Sequence, residues 1–297
     1  MASQQMRELV ERMRTAVPLQ EFSVEVHRER VLRGESLSVA ESDVEVEPLD
    51  AGGVPGEWIR ATGASRDRVL LMAHHGAFIA GTPASLRVIG HQLSNLADVS
   101  VLSLDYRLAP EHQFPAAIDD LVRAYTWLVN QGISHDQIAV GGASAGGGVA
   151  AGALLAIRDA GLPPPAASIL LCPFADLTLS SDAATADDSP EPIDSRDIVQ
   201  RAVALYLGTG DPLHPWASPA RADLSGLPPL HVEAASADRL VDDAQLLVER
   251  ATACGVDASL HVSEGAIHNF AQYAADLPES VGAIRRFAAH LDEHLVR

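Results

Sequence analysis

Lysine is absent from this 297-residue chain, whose 21 basic side chains are all arginine. That removes Schiff-base chemistry, serine–lysine dyads and the lysine of a phosphate-binding P-loop. Cysteine is scarce: Cys172 and Cys254 stand far apart without a CxxC partner, and each reads as a buried reduced thiol. Positive charge is also short, the formal net charge being −19. A surface that acidic repels phosphate backbones and anionic head groups, which argues against nucleic-acid and membrane partners. No long apolar run is present. The richest stretch, Val140 to Ile157, is broken by glycines and a serine, so no bilayer span is expected. The first residues, MASQQMRELVERMRTAVP, alternate charged and apolar positions and lack the core of a signal peptide, which predicts a cytoplasmic protein.

What is there suits one large domain, with 47% hydrophobic and 21% charged residues and no internal repeat. Met6, Leu9, Val10 and Met13 recur at helical steps within a region, 1 to about 40, that reads as helical. From Asp43 the pattern becomes VEVEPL, a GGVPG turn and EWIRATG, two strands most simply antiparallel. Then RVLLMAHH, SVLSLDY, QIAVGGAS, ASILLCPF, PLHVEAAS and ASLHVSEG alternate with helical stretches near 83–98, 115–131, 145–161, 195–207, 241–254 and 278–295. Apolar strands alternating with helices predict an α/β fold: a mostly parallel, eight-stranded sheet covered on both faces. Ligand chemistry in such sheets gathers at the carboxyl ends of the strands. One connection departs from the rule. After ASILLCPF comes DLTLSSDAATADDSPEPIDS, acidic and too long for a plain link, so it is either a lid or disordered.

Gly142-Ala143-Ser144-Ala145-Gly146 is a GxSxG placed where a strand ends and a small-residue helix begins. A pentapeptide of this kind is common by chance, but that context is what a nucleophile elbow requires. The serine must occupy a tight turn, and glycines two before and two after keep the backbone clear. The helix N-terminus then points its unpaired N–H groups at any oxyanion formed on Ser144. The alternative, a phosphate-binding turn, lacks a nearby cation.

Four blocks carry a family resemblance: the His74-His75-Gly76-Ala77-Phe78 loop, DYRLAPEHQFPAAIDD (Asp105 to Asp120), GGASAGG and ASPARADLSGLPPLHV. From about Asp43 to its end the chain resembles the bacterial hormone-sensitive-lipase-like esterases, which have the α/β-hydrolase fold. The resemblance implies a single domain over 1–297, with a small helical cap from about 1–40 and 176–207. The catalytic core would then be about 43–175 and 208–297. It implies oxyanion-hole N–H groups from Gly76, Ala77 and Ala145. The family carries HGGG where this chain has HHGA, and a backbone donor tolerates alanine where φ is negative. His75 and Ala77 narrow the space beside the hole, which predicts poorer acceptance of crowded alcohols. His74 is expected to order its loop through hydrogen bonds rather than to bind a metal.

In this fold the order is serine, acid, histidine. Of the histidines past Ser144, His231 and His261 lie in predicted strands, and His290 and His294 lie on the last helix. His268, in GAIHNF beyond the last strand, lies at the correct sheet edge and matches the family's histidine, Asn269 replacing the glycine of HGF. Asp238 is the acid nearest the end of its strand and matches the family's DPLxDE, with Arg239 in place of proline. Glu233, inside the strand, is the alternative acid, and Asp242 is expected to cap the next helix. Arg107 and Glu111 are expected to form an ion pair that fixes the DYRLAPE loop. Met6, Leu9, Met13, Phe22, Ile198, Val203 and Tyr206 could face the acyl pocket or be ordinary packing.

The expected activity is a serine carboxylesterase acting on short- to medium-chain esters through Ser144, His268 and Asp238. It needs no cofactor and no metal, and loses activity below pH about 6–7 as the histidine protonates. A lactone hydrolase would use the same residues. A ligand receptor on a dead hydrolase scaffold would have lost the histidine. The implied partner is a small ester or lactone; a homodimer is carried over from the family.

Overall fold

The eight short apolar runs become eight strands of one sheet in the computed structural model, which describes residues 2–16, 23–36, 44–186, 195–273 and 277–297. The strands are β1 (Val44–Asp50), β2 (Pro55–Ala61), β3 (Val69–Ala73), β4 (Ser100–Leu104), β5 (Ile138–Ala143), β6 (Ala167–Leu171), β7 (Leu230–Ala235) and β8 (Ala258–Ser263). Their order across the sheet is β1-β2-β4-β3-β5-β6-β7-β8. As the two-strand start predicted, β1 runs antiparallel to β2, and β2 antiparallel to β4. All pairs from β4 through β3 to β8 are parallel. Pairing tracks burial. Strands β3 to β7 are buried at every residue, whereas the edge strands β1 and β8 alternate toward solvent.

The helices are α1 (Gln4–Ala16), α2 (Val24–Ser36), α3 (Arg87–Ala97), α4 (Ala116–Asn130), α5 (Ala145–Asp159), α6 (Asp182–Thr185), α7 (Arg196–Leu207), α8 (Val241–Ala253) and α9 (Pro278–His294). Apolar residues of α4, α5, α7 and α8 form one core with Leu71, Val140 and Val232 of the sheet. Those of α3 and α9 form a second with Leu70, Ile59 and Ile169. Successive residues of a strand point to opposite faces, so Leu70 and Leu71 serve different layers.

The N-terminal region is two helices with different attachments. Met6 of α1 is fully buried in the α3/α9 core, with Leu9 and Met13 packed against it, so these three are ordinary packing. The backbone N–H and hydroxyl of Ser3 both donate to Glu279 at the start of α9. Val203 and Tyr206 of α7 belong instead to the other core, beside Phe78 and Phe174; Ile198 is buried on the same helix. Phe22 lies outside the described residues. The long acidic connection contains α6, capped by the Ser181 hydroxyl on the N–H of Ala184, and residues 187–194 are outside the described set. Asp242 does not cap α8. The capping position is Leu240, and the Asp242 carboxylate instead accepts the N–H of Ala183 in α6.

Candidate active site

Ser144 follows β5 and precedes α5 with φ 57° and ψ −122°, a conformation that side-chain-bearing residues rarely adopt. Holding it costs on the order of 1–3 kcal/mol, which the surroundings must offset. They do so through three backbone hydrogen bonds. The Ser144 N–H donates to Leu171 O (2.8 Å), and its carbonyl accepts from Phe174 (2.9 Å) and Gly148 (3.1 Å). The glycines are required by space. A Cβ at Gly142 would fall on the carbonyl of Gly146, and one at Gly146 on the carbonyl of Ala73.

The structure brings Ser144, His268 and Asp238 together from the carboxyl ends of three strands. His268 Nδ1 lies 2.8 Å from Asp238 Oδ2, and His268 Nε2 lies 2.7 Å from Ser144 Oγ. A carboxylate only accepts, so Nδ1–H donates to it; in the neutral ring Nε2 is then the acceptor for the serine hydroxyl. The second oxygen of Asp238 accepts the N–H of Leu240 at 2.9 Å. All three residues are buried, Ser144 being 6% exposed. Burial alone would push the His268 pKa down, but the Asp238 charge and its hydrogen bond outweigh it and hold the pKa well above 6.5.

The loop after β3 carries three successive left-handed residues, Gly76, Ala77 and Phe78, with φ of 130°, 56° and 65°. The negative φ under which alanine is tolerated is not found at Ala77, so this alanine is strained by about 1–2 kcal/mol where glycine would not be. The turn is closed by the N–H groups of Ile79 and Ala80 on the carbonyl of Gly76. Among the described residues, no turn or loop hydrogen bond uses the N–H of Gly76 or Ala77. Ala145, first in α5, has no helical acceptor one turn back. His74 orders the loop as expected. Its Nδ1 lies 2.7 Å from His75 O, its ring stacks on Tyr106 at 4.2 Å, and its carbonyl accepts the Tyr106 hydroxyl. Complete burial lowers its pKa to about 4, so it stays neutral.

The DYRLAPE block is wired differently from the expectation. Arg107 pairs with Asp120, its Nε 2.9 Å from Oδ2, while Glu111 pairs with Arg28 of α2, at 2.6 and 2.8 Å. The same guanidinium donates to the carbonyls of Ile79 and Ala109, and the Ala109 N–H donates to Phe78 O. Arg28 thus joins α2 to the loop that carries Gly76 and Ala77. On the same loop the Phe78 ring stacks on Tyr206 of α7, centroids 4.1 Å apart. Nothing local signalled Arg28, whose partner is 83 positions away.

Cys172, one residue past β6, is the other neighbour that the motifs missed. It is fully buried with φ 44°, and its sulfur lies within 4.8 Å of a His268 ring nitrogen and an Asp238 carboxylate oxygen. Burial pushes its pKa up to about 12. The strand-end rule that identified Asp238 and His268 applies to it equally.

The chain is similar to known proteins in sequence and in fold. A family described as alpha/beta hydrolase fold matches residues 70–272. An acetyl-hydrolase of Streptomyces hygroscopicus is 38% identical over 257 residues, covering 86% of this chain and 84% of that one. The solved structure of an esterase from the bacterial hormone-sensitive lipase family superimposes with a TM-score of 0.94 at 38% identity, covering all of both chains. The structure of EstE5 soaked with p-nitrophenyl butyrate does so with a TM-score of 0.92 at 35% identity, covering 98% of this chain and 99% of that one.

Proposed function

This chain belongs to the bacterial hormone-sensitive-lipase family of α/β-hydrolase-fold esterases, and on that premise we propose that it hydrolyses short- to medium-chain carboxylic esters through a Ser144–His268–Asp238 triad. The observation that carries the reading is the pair of hydrogen bonds from Ser144 through His268 to Asp238, centred on the strained elbow. A serine hydroxyl does not attack an ester at neutral pH without a base, and Nε2 is placed to take its proton. Asp238 fixes the tautomer with Nε2 open and stabilises the imidazolium that forms. The tetrahedral oxyanion is received by the N–H groups of Gly76, Ala77 and Ala145, each worth about 3 kcal/mol of the barrier. His268 then returns the proton to the leaving alcohol, and a water repeats the sequence on the acyl-enzyme.

Two features support a small acyl group. Phe78, Tyr206 and Phe174 pack together beside the oxyanion loop. The related EstE5 was soaked with a butyrate ester. We assign α2 and residues 176–207 to a cap that meets this loop through Arg28 and Tyr206. The strongly negative chain favours neutral substrates over polyanions. The test is a screen of the purified protein on p-nitrophenyl esters of increasing chain length, aliphatic lactones and arylamides, with Ser144→Ala as blank. Fastest turnover of the acetate to octanoate esters is expected. Turnover confined to lactones would replace the ester reading, and turnover unchanged in Ser144→Ala would end the triad reading.

A further inference from the structure

The carboxyl ends of three consecutive parallel strands deliver a thiol, a carboxylate and an imidazole to one point. Cys172 follows β6, Asp238 follows β7 and His268 follows β8, and one ligand atom from each lies within 4.8 Å of the other two. All three residues are buried. Among the described residues this is the only group of three such side chains close enough to share an ion. Zinc-like ions bond sulfur at about 2.3 Å and nitrogen or oxygen at about 2.0–2.2 Å. Ligand atoms around such an ion sit roughly 3.3–3.8 Å apart, so the sulfur closes by up to about an ångström while Nδ1 and Oδ2, now 2.8 Å apart, open to admit the ion. A thiolate with an imidazole selects borderline and soft divalent cations over magnesium or calcium.

We propose that Cys172, Asp238 and His268 form an inhibitory site for zinc- or cadmium-like divalent cations, one that disables the base of the proposed triad. The ion enters on the Asp238 side of the ring, where Nδ1 now donates to Oδ2. Binding breaks that bond and uses the Nδ1 lone pair: a neutral ring shifts its one proton from Nδ1 to Nε2, and a doubly protonated ring loses its Nδ1 proton to solvent and keeps the one on Nε2. Nε2 then carries a hydrogen and can no longer accept the Ser144 proton. The thiol proton leaves to solvent as the sulfur–metal bond forms, and no electrons are transferred. One cation therefore removes both the general base and its orienting carboxylate. The inhibitory consequence rests on the triad reading; the site itself does not. Cys254 provides an internal control, since it is half-buried at the end of α8 and its sulfur accepts the N–H of Leu224.

The experiment titrates the full-length protein with cadmium chloride, reading p-nitrophenyl butyrate hydrolysis and the ultraviolet thiolate-to-cadmium absorption band. The expected result is one equivalent bound per chain, the band rising in step with inhibition and both reversed by EDTA. Cys172→Ser should abolish the band and raise the half-inhibiting concentration at least tenfold, judged against that variant's own uninhibited rate. Cys172→Ala is the second variant should the serine form misfold. Cys254→Ser should leave band and inhibition as in the parent. Ser144→Ala should keep the band without turnover, which separates this site from the triad reading. Absence of the band in the folded parent, or equal inhibition of the Cys172 variants and the parent, overturns the proposal.

Discussion

Two serine–histidine–carboxylate triples share β7 and its approaches, and only one has the surroundings of a reactive site. In the first, Ser144 Oγ meets His268, whose other nitrogen meets Asp238 at 2.8 Å. In the second, Ser259 Oγ lies 2.7 Å from His231 Nδ1, and His231 Nε2 lies 2.8 Å from Glu233. Hydrogen-bond logic gives both histidines the same task, one nitrogen donating to the acid and the other accepting from a hydroxyl. The differences lie around them. Glu233 is fully buried, and Arg286 grips it at 2.6 and 2.9 Å. Burial pushes the Glu233 pKa up, but Arg286 and His231 outweigh it and hold it low. Its charge is therefore already compensated. The second oxygen of Asp238 accepts a backbone N–H, and its charge is left for the imidazole. Ser259 sits exposed in edge strand β8. Ser144 occupies a strained turn with a helix N-terminus ahead of it. A triple becomes a catalyst through position and an uncommitted acid, not through residue types.

Exchanging one acid at a time breaks the comparison most sharply. Asp238→Asn should lower kcat about 10⁴-fold while leaving the fold intact, because the tautomer is lost. Glu233→Gln should keep kcat/KM near the parent value. Denaturant unfolding should show it destabilised by about 1–3 kcal/mol, since it weakens charged hydrogen bonds to a buried carboxylate whose Arg286 partner is a third exposed. Reversed outcomes would mean the two triples have been assigned the wrong way round.

The pH response separates activity from stability. His268 holds its proton well above the ordinary 6.5, so kcat/KM should fall about tenfold per unit below that raised value, as the base protonates. Stability has the opposite sign. A raised histidine contributes to the fold fully below 6.5, and the contribution is lost as pH rises through the folded-state value. Paired measurements of kcat/KM and Tm from pH 5 to 10 check both; an acid limb centred below 6.5 would contradict the account.

Smaller effects concern the loop opposite Ser144. Arg28→Ala removes two carbonyl contacts as well as the pair with Glu111, and kcat should fall between about tenfold and a hundredfold as the loop shifts. Glu111→Gln should cost much less, because the pair is half exposed and such pairs are worth under about 1 kcal/mol. Equal losses in the two variants would place the effect in the ion pair instead. Ala77→Gly removes a left-handed alanine and a methyl group, and turnover of tertiary-alcohol esters should rise by up to about tenfold. An unchanged rate on those esters would show that His75 or the cap sets the crowding.

Legibility in the sequence followed range. The strands, the antiparallel start and the turn at Ser144 were readable because each depends on a short segment: an apolar run, or a turn one step past a strand. Partners were not. Arg107 faced two acids in its own block, Glu111 and Asp120, and spacing could not choose between them. Arg28 lies in a region whose only signal was helical period. Cys172 carried no motif and becomes significant only when parallel strands align its end with those of β7 and β8. At Ala77, backbone conformation was decided by the loop's closure on Gly76 rather than by residue preference, which favours negative φ.

The central claim is that the elbow serine, and not its counterpart on β8, is the nucleophile. It is tested most directly by stoichiometric labelling with a fluorophosphonate followed by peptide mapping. The account predicts one label per chain on Ser144, none on Ser259, and none at all in Ser144→Ala. A label found on Ser259, or persisting in Ser144→Ala, would contradict it.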